Sequence, residues 1–280
     1  ALMQPPPLAL YIHLPWCERK CPYCDFNSHE ASDIPEKHYI RALLQDLRND
    51  LPLTQERTVE TLFIGGGTPS LFSAQAIRTL LRELAEMVPL SPTLEATMEA
   101  NPGSAEADKF SAFKDAGITR LSLGIQSFDD TQLQALGRIH TSDQAHTAIE
   151  FTHRAGFNSF NLDLMHGLPG QTLLGAKTDL LTAIACEPSH LSWYQLTIEP
   201  NTVFHKRPPK LPVEDELADI QHCGEQLLVA AGYGQYEVSA FSQRGYRCRH
   251  NSNYWSFGDY IGIGAGAHGK ISFLDGHIER

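Results

Sequence analysis

The sequence predicts an α/β fold: a partial (βα)6 barrel followed by a C-terminal extension. Two observations carry that expectation. Short apolar runs ending in Gly, Pro, Asn, Asp or Gln alternate with segments of helical periodicity, the rhythm of a parallel sheet. No strand reversal of the kind a doubly wound sheet requires is detectable, although a doubly wound sheet stays the alternative. In either architecture ligands sit at the C-terminal ends of the strands.

The strands are expected over Leu8 to Ile12, Val59 to Ile64, Leu94 to Met98, Arg120 to Gly124, Ser159 to Leu164 and Leu191 to Leu196. Helices are expected over Pro35 to Leu51, Ser73 to Met87, Ala105 to Ala116, Thr141 to Ala155, Leu173 to Cys186 and Glu214 to Ala231. Gly117 and Gly156 read as C-terminal helix stops, each followed closely by a new strand. Pro200 to Pro212 holds four prolines and reads as a linking loop, which divides the chain into a barrel over 1–199 and a linker and extension over 200–280. Short strands are expected near Gln235 to Val238 and Lys270 to Phe273, the second opening a hairpin around Leu274-Asp275-Gly276. The chain stops as the return strand begins, so a truncated C-terminal domain is expected.

Composition excludes several classes of function. The 280 residues are 42% hydrophobic and 20% charged, enough to fill a sizeable core. Lys and Arg total 22 against 33 Asp and Glu, a net charge of −11, and no basic run interrupts it. That field repels phosphate backbones, so nucleic acid is not an expected partner. Met3-Gln4-Pro5-Pro6-Pro7 is too short and proline-rich for a signal peptide, and no apolar segment has the length of a membrane span. The cytoplasm is the expected compartment.

Three of the six cysteines, Cys17, Cys21 and Cys24, form Cys-x3-Cys-x2-Cys just after the first strand. Thiolates so crowded favour a soft metal centre over disulfides. A structural zinc site needs a fourth ligand, for which His13 or His29 is available. A cubane iron-sulfur cluster can instead be held by three cysteines with its fourth iron open to a small molecule. Gly65-Gly66-Gly67-Thr68-Pro69 ends the second strand; it is either a tight turn or a backbone cradle for a ligand. Glu99, Gln126 and Asp163 stand at the next strand ends and Arg138 in the following loop. Each alone fits a salt bridge or helix cap, whereas together they supply two acids, an amide and a cation around one mouth.

On the Cys17-Cys21-Cys24 loop and the Gly65 to Pro69 turn, the sequence resembles the radical S-adenosylmethionine (SAM) superfamily. More narrowly it resembles the branch of oxygen-independent coproporphyrinogen oxidase and its heme-chaperone relatives. That match is carried by Tyr11 to Cys17, Cys21 to Asn27, Met98 to Gly103, Asn161 to Pro169 and His250-Asn251-x2-Tyr254-Trp255. The resemblance implies that Cys17, Cys21 and Cys24 ligate a [4Fe-4S] cluster whose open iron takes SAM. It implies that the Gly65, Gly66 and Gly67 backbone receives the methionine amino group, with Thr68 also in the cofactor site, and that Arg138 faces its carboxylate. Glu99, Gln126 and Asp163 then hold the amino-acid and ribose portions, Tyr23 borders the adenine and Tyr11 lies beside the sulfonium.

The oxidases carry a further cysteine two positions after the third cluster ligand; here that position is Phe26, which argues against the decarboxylation chemistry. His250, Asn251, Tyr254 and Trp255 resemble a motif linked to heme handling in the chaperone branch. A heme ligand at His250 and ring packing by Tyr254 or Trp255 stand against a purely structural reading of the same residues. The resemblance therefore implies heme as cargo, taken from a heme donor and passed to heme-requiring membrane respiratory proteins, with transient contact at the membrane. Cys248 also allows a Cys-x-His metal reading and His268 can approach the mouth, while Cys186 and Cys223 read as core.

Overall fold

The computed structural model describes residues 7–17, 29–30, 34–198, 202–255, 258–264, 271–272 and 278–279. Six strands run parallel and side by side in chain order: β1 (Leu8–Leu14), β2 (Val59–Gly66), β3 (Leu90–Ala100), β4 (Arg120–Gln126), β5 (Ser159–His166) and β6 (His190–Gln195). Helices α1 (Glu36–Thr54), α2 (Ala74–Met87), α3 (Phe110–Ala116), α4 (Ser142–Arg154) and α5 (Leu173–Ala185) separate them, and α6 (Glu214–Ala230) follows β6. The order agrees with the expectation from the βα rhythm, and several ends differ from it. Glu99 and Gln126 lie inside their strands, not after them. The helix expected over Ala105 to Ala116 breaks into Ser104–Ala107 and α3. At the break, Lys109 turns its ammonium to the Phe72 carbonyl oxygen at 3.2 Å. The proline-rich loop contains a short helix, Val203–Lys206, capped by Thr202.

Local chemistry fixes the helix starts. Ser73 caps α2 by accepting from Ala76 N, and Thr172 caps α5 by accepting from Gly175 N. Thr141 and Gln144 form a reciprocal capping box on α4. Gly117, at φ +120°, closes α3 in a conformation that a side chain would disfavour.

Because strand side chains alternate, each strand divides into two faces. Leu62, Ile64, Met98, Leu121, Leu123, Leu162 and Leu164 join one core with Leu43, Leu47, Ile77, Leu80, Phe113, Ile149 and Leu180 of the helices. Most of the intervening positions are polar: Thr61, Glu95, Thr97, Glu99, Arg120, Ser122, Asn161, Asp163, His190 and Ser192. A strand buried on both faces normally reads as continuously apolar, so a polar inner face points to a site.

Residues beyond 200 extend both edges of the same sheet. β7 (Gly234–Glu237) and β8 (Ala240–Ser242) add antiparallel strands beyond β6. α7 (Arg249–Trp255) follows, and β9 (Asp259–Ile263) then lies parallel against β1 at the opposite edge. A 2.7 Å ion pair from Arg57 to the fully buried Asp259 fixes β9 there. Ile271–Ser272 pairs antiparallel with Ile278–Glu279, as the expected hairpin requires. Among the described residues no helix is long and apolar enough to cross a membrane.

α6 packs on the sheet through Gly224, where a Cβ would fall 1.9 Å from Cη2 of the buried Trp193. Gly224→Ala is therefore expected to destabilise the fold by about 2–3 kcal/mol through overpacking, despite the better helix propensity of alanine. Urea unfolding checks this, and wild-type stability would show that α6 can slide off Trp193.

Candidate functional site

The C-terminal strand ends gather most of the residues singled out above. The glycine turn after β2 packs on the exit of β1: Gly67 N donates to Leu14 O at 2.8 Å and Thr68 N to Trp16 O at 2.6 Å. Gly66 has φ +118°, and a Cβ there would meet Leu14 O at 2.7 Å and the His13 ring at 2.9 Å. Trp16 is held from the other side by the ring of Tyr39, edge-on at 4.6 Å. The backbone of Trp16 and Cys17 pairs with that of His29 and Glu30, closing the cysteine loop at its base. Cys21, Tyr23 and Cys24 lie outside the described residues, as do the Cys17 and His29 side chains and His268.

Glu99 presses its carboxylate against this turn; a Cβ on Gly65 would lie 3.0 Å from Glu99 Oε1. Burial, with Asp163 adding, pushes the Glu99 carboxyl up to about 8, and the Gly66 N–H opposes that shift. Burial also raises Asp163, against Asn161, Arg120, Ser192 and Arg138. Two carboxyls sharing one half-buried recess favour binding of a cation between them. Tyr11 adjoins the same recess, its Oη 3.0 Å from His13 Nδ1, and burial, Glu99 and Tyr39 raise its phenol.

Arg138 and Gln126 complete the rim. The Arg138 guanidinium donates to Asn101 Oδ1 at 2.7 Å and Gly124 O at 2.9 Å, which pins it across the end of β4. Gln126 sits at φ +69° where the β4 ladder shifts register, and accepts from Tyr194 Oη at 2.9 Å. The buried Asp179 stabilises that conformation, accepting from Ser127 Oγ at 2.6 Å and Phe128 N at 2.9 Å.

His250 lies deeper on the inner face. Its Nδ1 is 3.0 Å from Thr61 Oγ1, its ring lies 5.4 Å from that of Phe63, and burial lowers its pKa to about 4. Neutral imidazole is thus its resting form. The carboxylate of Glu95 accepts from Arg249 N at 3.0 Å and His250 N at 3.1 Å, with Cys248 Sγ at 3.7 Å. Asn251 is half-buried on α7, and the Tyr254 and Trp255 side chains lie outside the described residues. Cys248 is buried against Glu95; Cys186, capping the end of α5, is half-buried and packs against the core as expected, whereas Cys223 is half-buried on α6.

Glu95→Ala would remove the acceptor of the Arg249 and His250 amides and of the Cys248 thiol at once and is expected to cost about 2–4 kcal/mol. Faster hydrogen exchange at the 249 and 250 amides would check it; unchanged exchange would show that α7 needs no such anchor.

Sequence reasoning missed Glu95, Arg120, Asn161, His190 and Tyr236. Asn161 Nδ2 donates to Ser122 Oγ and Asp163 Oδ1, so its Oδ1 accepts from His190 Nδ1 at 2.7 Å. His190 Nε2 is then an acceptor for Tyr236 Oη at 2.6 Å. The available signal was their phase: each strand residue occupies the polar alternate position.

The geometry defines a ligand site at the ends of a parallel sheet, and a sequence profile of the radical SAM superfamily matches residues 11–176. The chain belongs to that superfamily. Within it the chain belongs to the HemW family of heme chaperones. It is 57% identical to heme chaperone HemW of Haemophilus influenzae over 280 residues, covering 98% of this chain and 73% of the relative. Identity to the Escherichia coli HemW is also 57%, over 276 residues and with the same coverage. Mitochondrial radical S-adenosyl methionine domain-containing protein 1 of Bos taurus is 40% identical over 267 residues, 94% of this chain and 60% of that protein. The fold resembles coproporphyrinogen III oxidase (HemN) from Escherichia coli, a radical SAM enzyme, with a TM-score of 0.84 and 25% identity. That likeness covers 97% of this chain and 66% of the oxidase chain, so this chain spans about two thirds of the oxidase's length.

Proposed function

We propose that the chain is a heme-binding chaperone that carries a [4Fe-4S] cluster and SAM and passes heme to heme-requiring membrane respiratory proteins. The observation that carries the cofactor half is the docking of the Gly65–Thr68 turn on Leu14 and Trp16. It ties the amino-acid recess to the strand that leads into Cys17. The donor set fits the group: soft thiolates for iron, and for SAM two half-buried carboxyls, an amide and a guanidinium around one recess.

In this reading Cys17, Cys21 and Cys24 hold the cluster. Glu99 and the Gly65 to Thr68 backbone receive the amino group, Arg138 faces the carboxylate, and Gln126 and Asp163 hold the ribose. Tyr11 and Tyr23 border the sulfonium and the adenine. A reduced cluster bound there supplies one-electron chemistry to the sulfonium. The chain's own part is to orient the ligand and exclude water from Glu99 and Tyr11. His250, Asn251, Tyr254 and Trp255 are the heme candidates, with Glu95 and Thr61 holding His250 in place.

The second reading is a coproporphyrinogen oxidase, favoured by the likeness to HemN. Phe26, where the oxidases have cysteine, opposes it. Anaerobically reconstituted protein given heme, or given coproporphyrinogen with SAM and reductant, separates the two. Stoichiometric heme absorbance without product supports the chaperone; decarboxylated, vinyl-bearing product by mass spectrometry would replace it with the oxidase.

A further inference from the structure

Arg120 opens β4 on the polar inner face, is 3% exposed, and has no hydrogen-bond partner on its Nε. Thr97, its ladder partner on β3, is fully buried, and its Oγ1 is also without a partner. Two unspent polar groups therefore sit side by side in one row of the inner face. The nearby carboxylates take their hydrogen bonds elsewhere: Glu95 from the backbone of Arg249 and His250, and Asp163, which feels the Arg120 charge, from Asn161. Among the described residues no carboxylate forms an ion pair with Arg120 within 4.0 Å. The adjoining imidazoles, His190 and His250, both have their pKa lowered by burial and by the Arg120 charge.

A buried guanidinium whose Nε finds no acceptor is costly, and the cost is relieved when an anion supplies one. Its planar fork matches a carboxylate, with two parallel N–H donors for two oxygens. The Thr97 hydroxyl can donate to the same group. We propose that Arg120, with Thr97, is a recognition point for a carboxylate on a ligand that reaches the polar inner face. This rests on the reading of the chain as a heme-binding protein, in which a heme propionate is that carboxylate.

The test titrates the full, anaerobically reconstituted chain with hemin and with hemin dimethyl ester, read by Soret absorbance, in wild type, Arg120→Met and Arg120→Lys. Wild type is expected to bind the free acid about tenfold tighter than the ester, the scale of one charge-assisted contact. Arg120→Met should lose that preference while its ester affinity stays within about twofold, and Arg120→Lys should keep part of it. An acid-to-ester ratio unchanged in both variants would overturn the proposal, as would equal weakening of both porphyrins. Should Arg120→Met fail to fold by circular dichroism, the ratio in Arg120→Lys decides: reduced supports, unchanged overturns. Wild type that binds neither porphyrin would sink the heme reading itself. Succinate then decides for Arg120: stabilisation of wild type but not the variant, beyond chloride of equal ionic strength, supports it, and no difference overturns it.

Discussion

Gly67→Ala is expected to lose most of the iron that the proposed cluster would hold and to lower the stability of the protein by about 2–4 kcal/mol. A Cβ at this position would lie 2.2 Å from Trp16 O and 2.6 Å from Trp16 C. Both are backbone atoms, so no rotamer change can relieve the clash. The turn and the exit of β1 must separate, breaking the bonds from Gly67 N to Leu14 O and Thr68 N to Trp16 O. Trp16 is followed directly by Cys17, so the displacement reaches the cysteine loop at its base. Gly65→Ala gives a graded comparison, because its nearest neighbours are side chains and not backbone: the Glu99 carboxylate at 3.0 Å and the Phe63 ring at 3.2 Å. Iron assay and thermal unfolding of the two reconstituted variants check the order. Full iron loading with wild-type stability in Gly67→Ala would show that turn and loop are independent.

The second large effect is on pH dependence. Burial and Asp163 hold the free Glu99 carboxyl at about 8, so at neutral pH it is mainly protonated. A cationic amino group placed against it favours the carboxylate and lowers that pKa. Binding of SAM below pH 8 should therefore release a proton, and affinity should rise by up to about tenfold per pH unit before levelling off above pH 8. The stability of the ligand-free protein runs the other way. A carboxyl whose folded pKa is raised contributes stability present at low pH and lost as pH rises through about 8. Calorimetry in two buffers of different ionisation enthalpy measures the released proton, and Glu99→Gln should abolish both the release and the slope. Proton uptake, or the same slope in Glu99→Gln, would place the amino group elsewhere.

Much of the framework was legible because each βα unit carries several agreeing signals. β4 shows this well: Gly117 ends the preceding helix, Leu121, Leu123 and Ile125 face the core, and Ser122 and Gly124 take the alternate positions. β9 was not legible, since Gly262 interrupts a five-residue strand and the partner, β1, lies far back in the sequence. Nor does a sequence show that α7 is fastened by Glu95, a pairing across 155 residues. Of the site, the residues at strand ends were readable by position; Arg120 was not, because a cation opening a strand reads as a solvated end. Its burial becomes visible only when Tyr236 of β7 and His250 of α7 are placed near it.

The most direct test of the account is electron paramagnetic resonance of the reduced, reconstituted chain, recorded with and without SAM alongside metal and sulfide analysis. The account predicts about four iron and four sulfide per chain and a cluster signal that shifts when SAM is added. Zinc in place of iron, or a cluster signal indifferent to SAM, would contradict it.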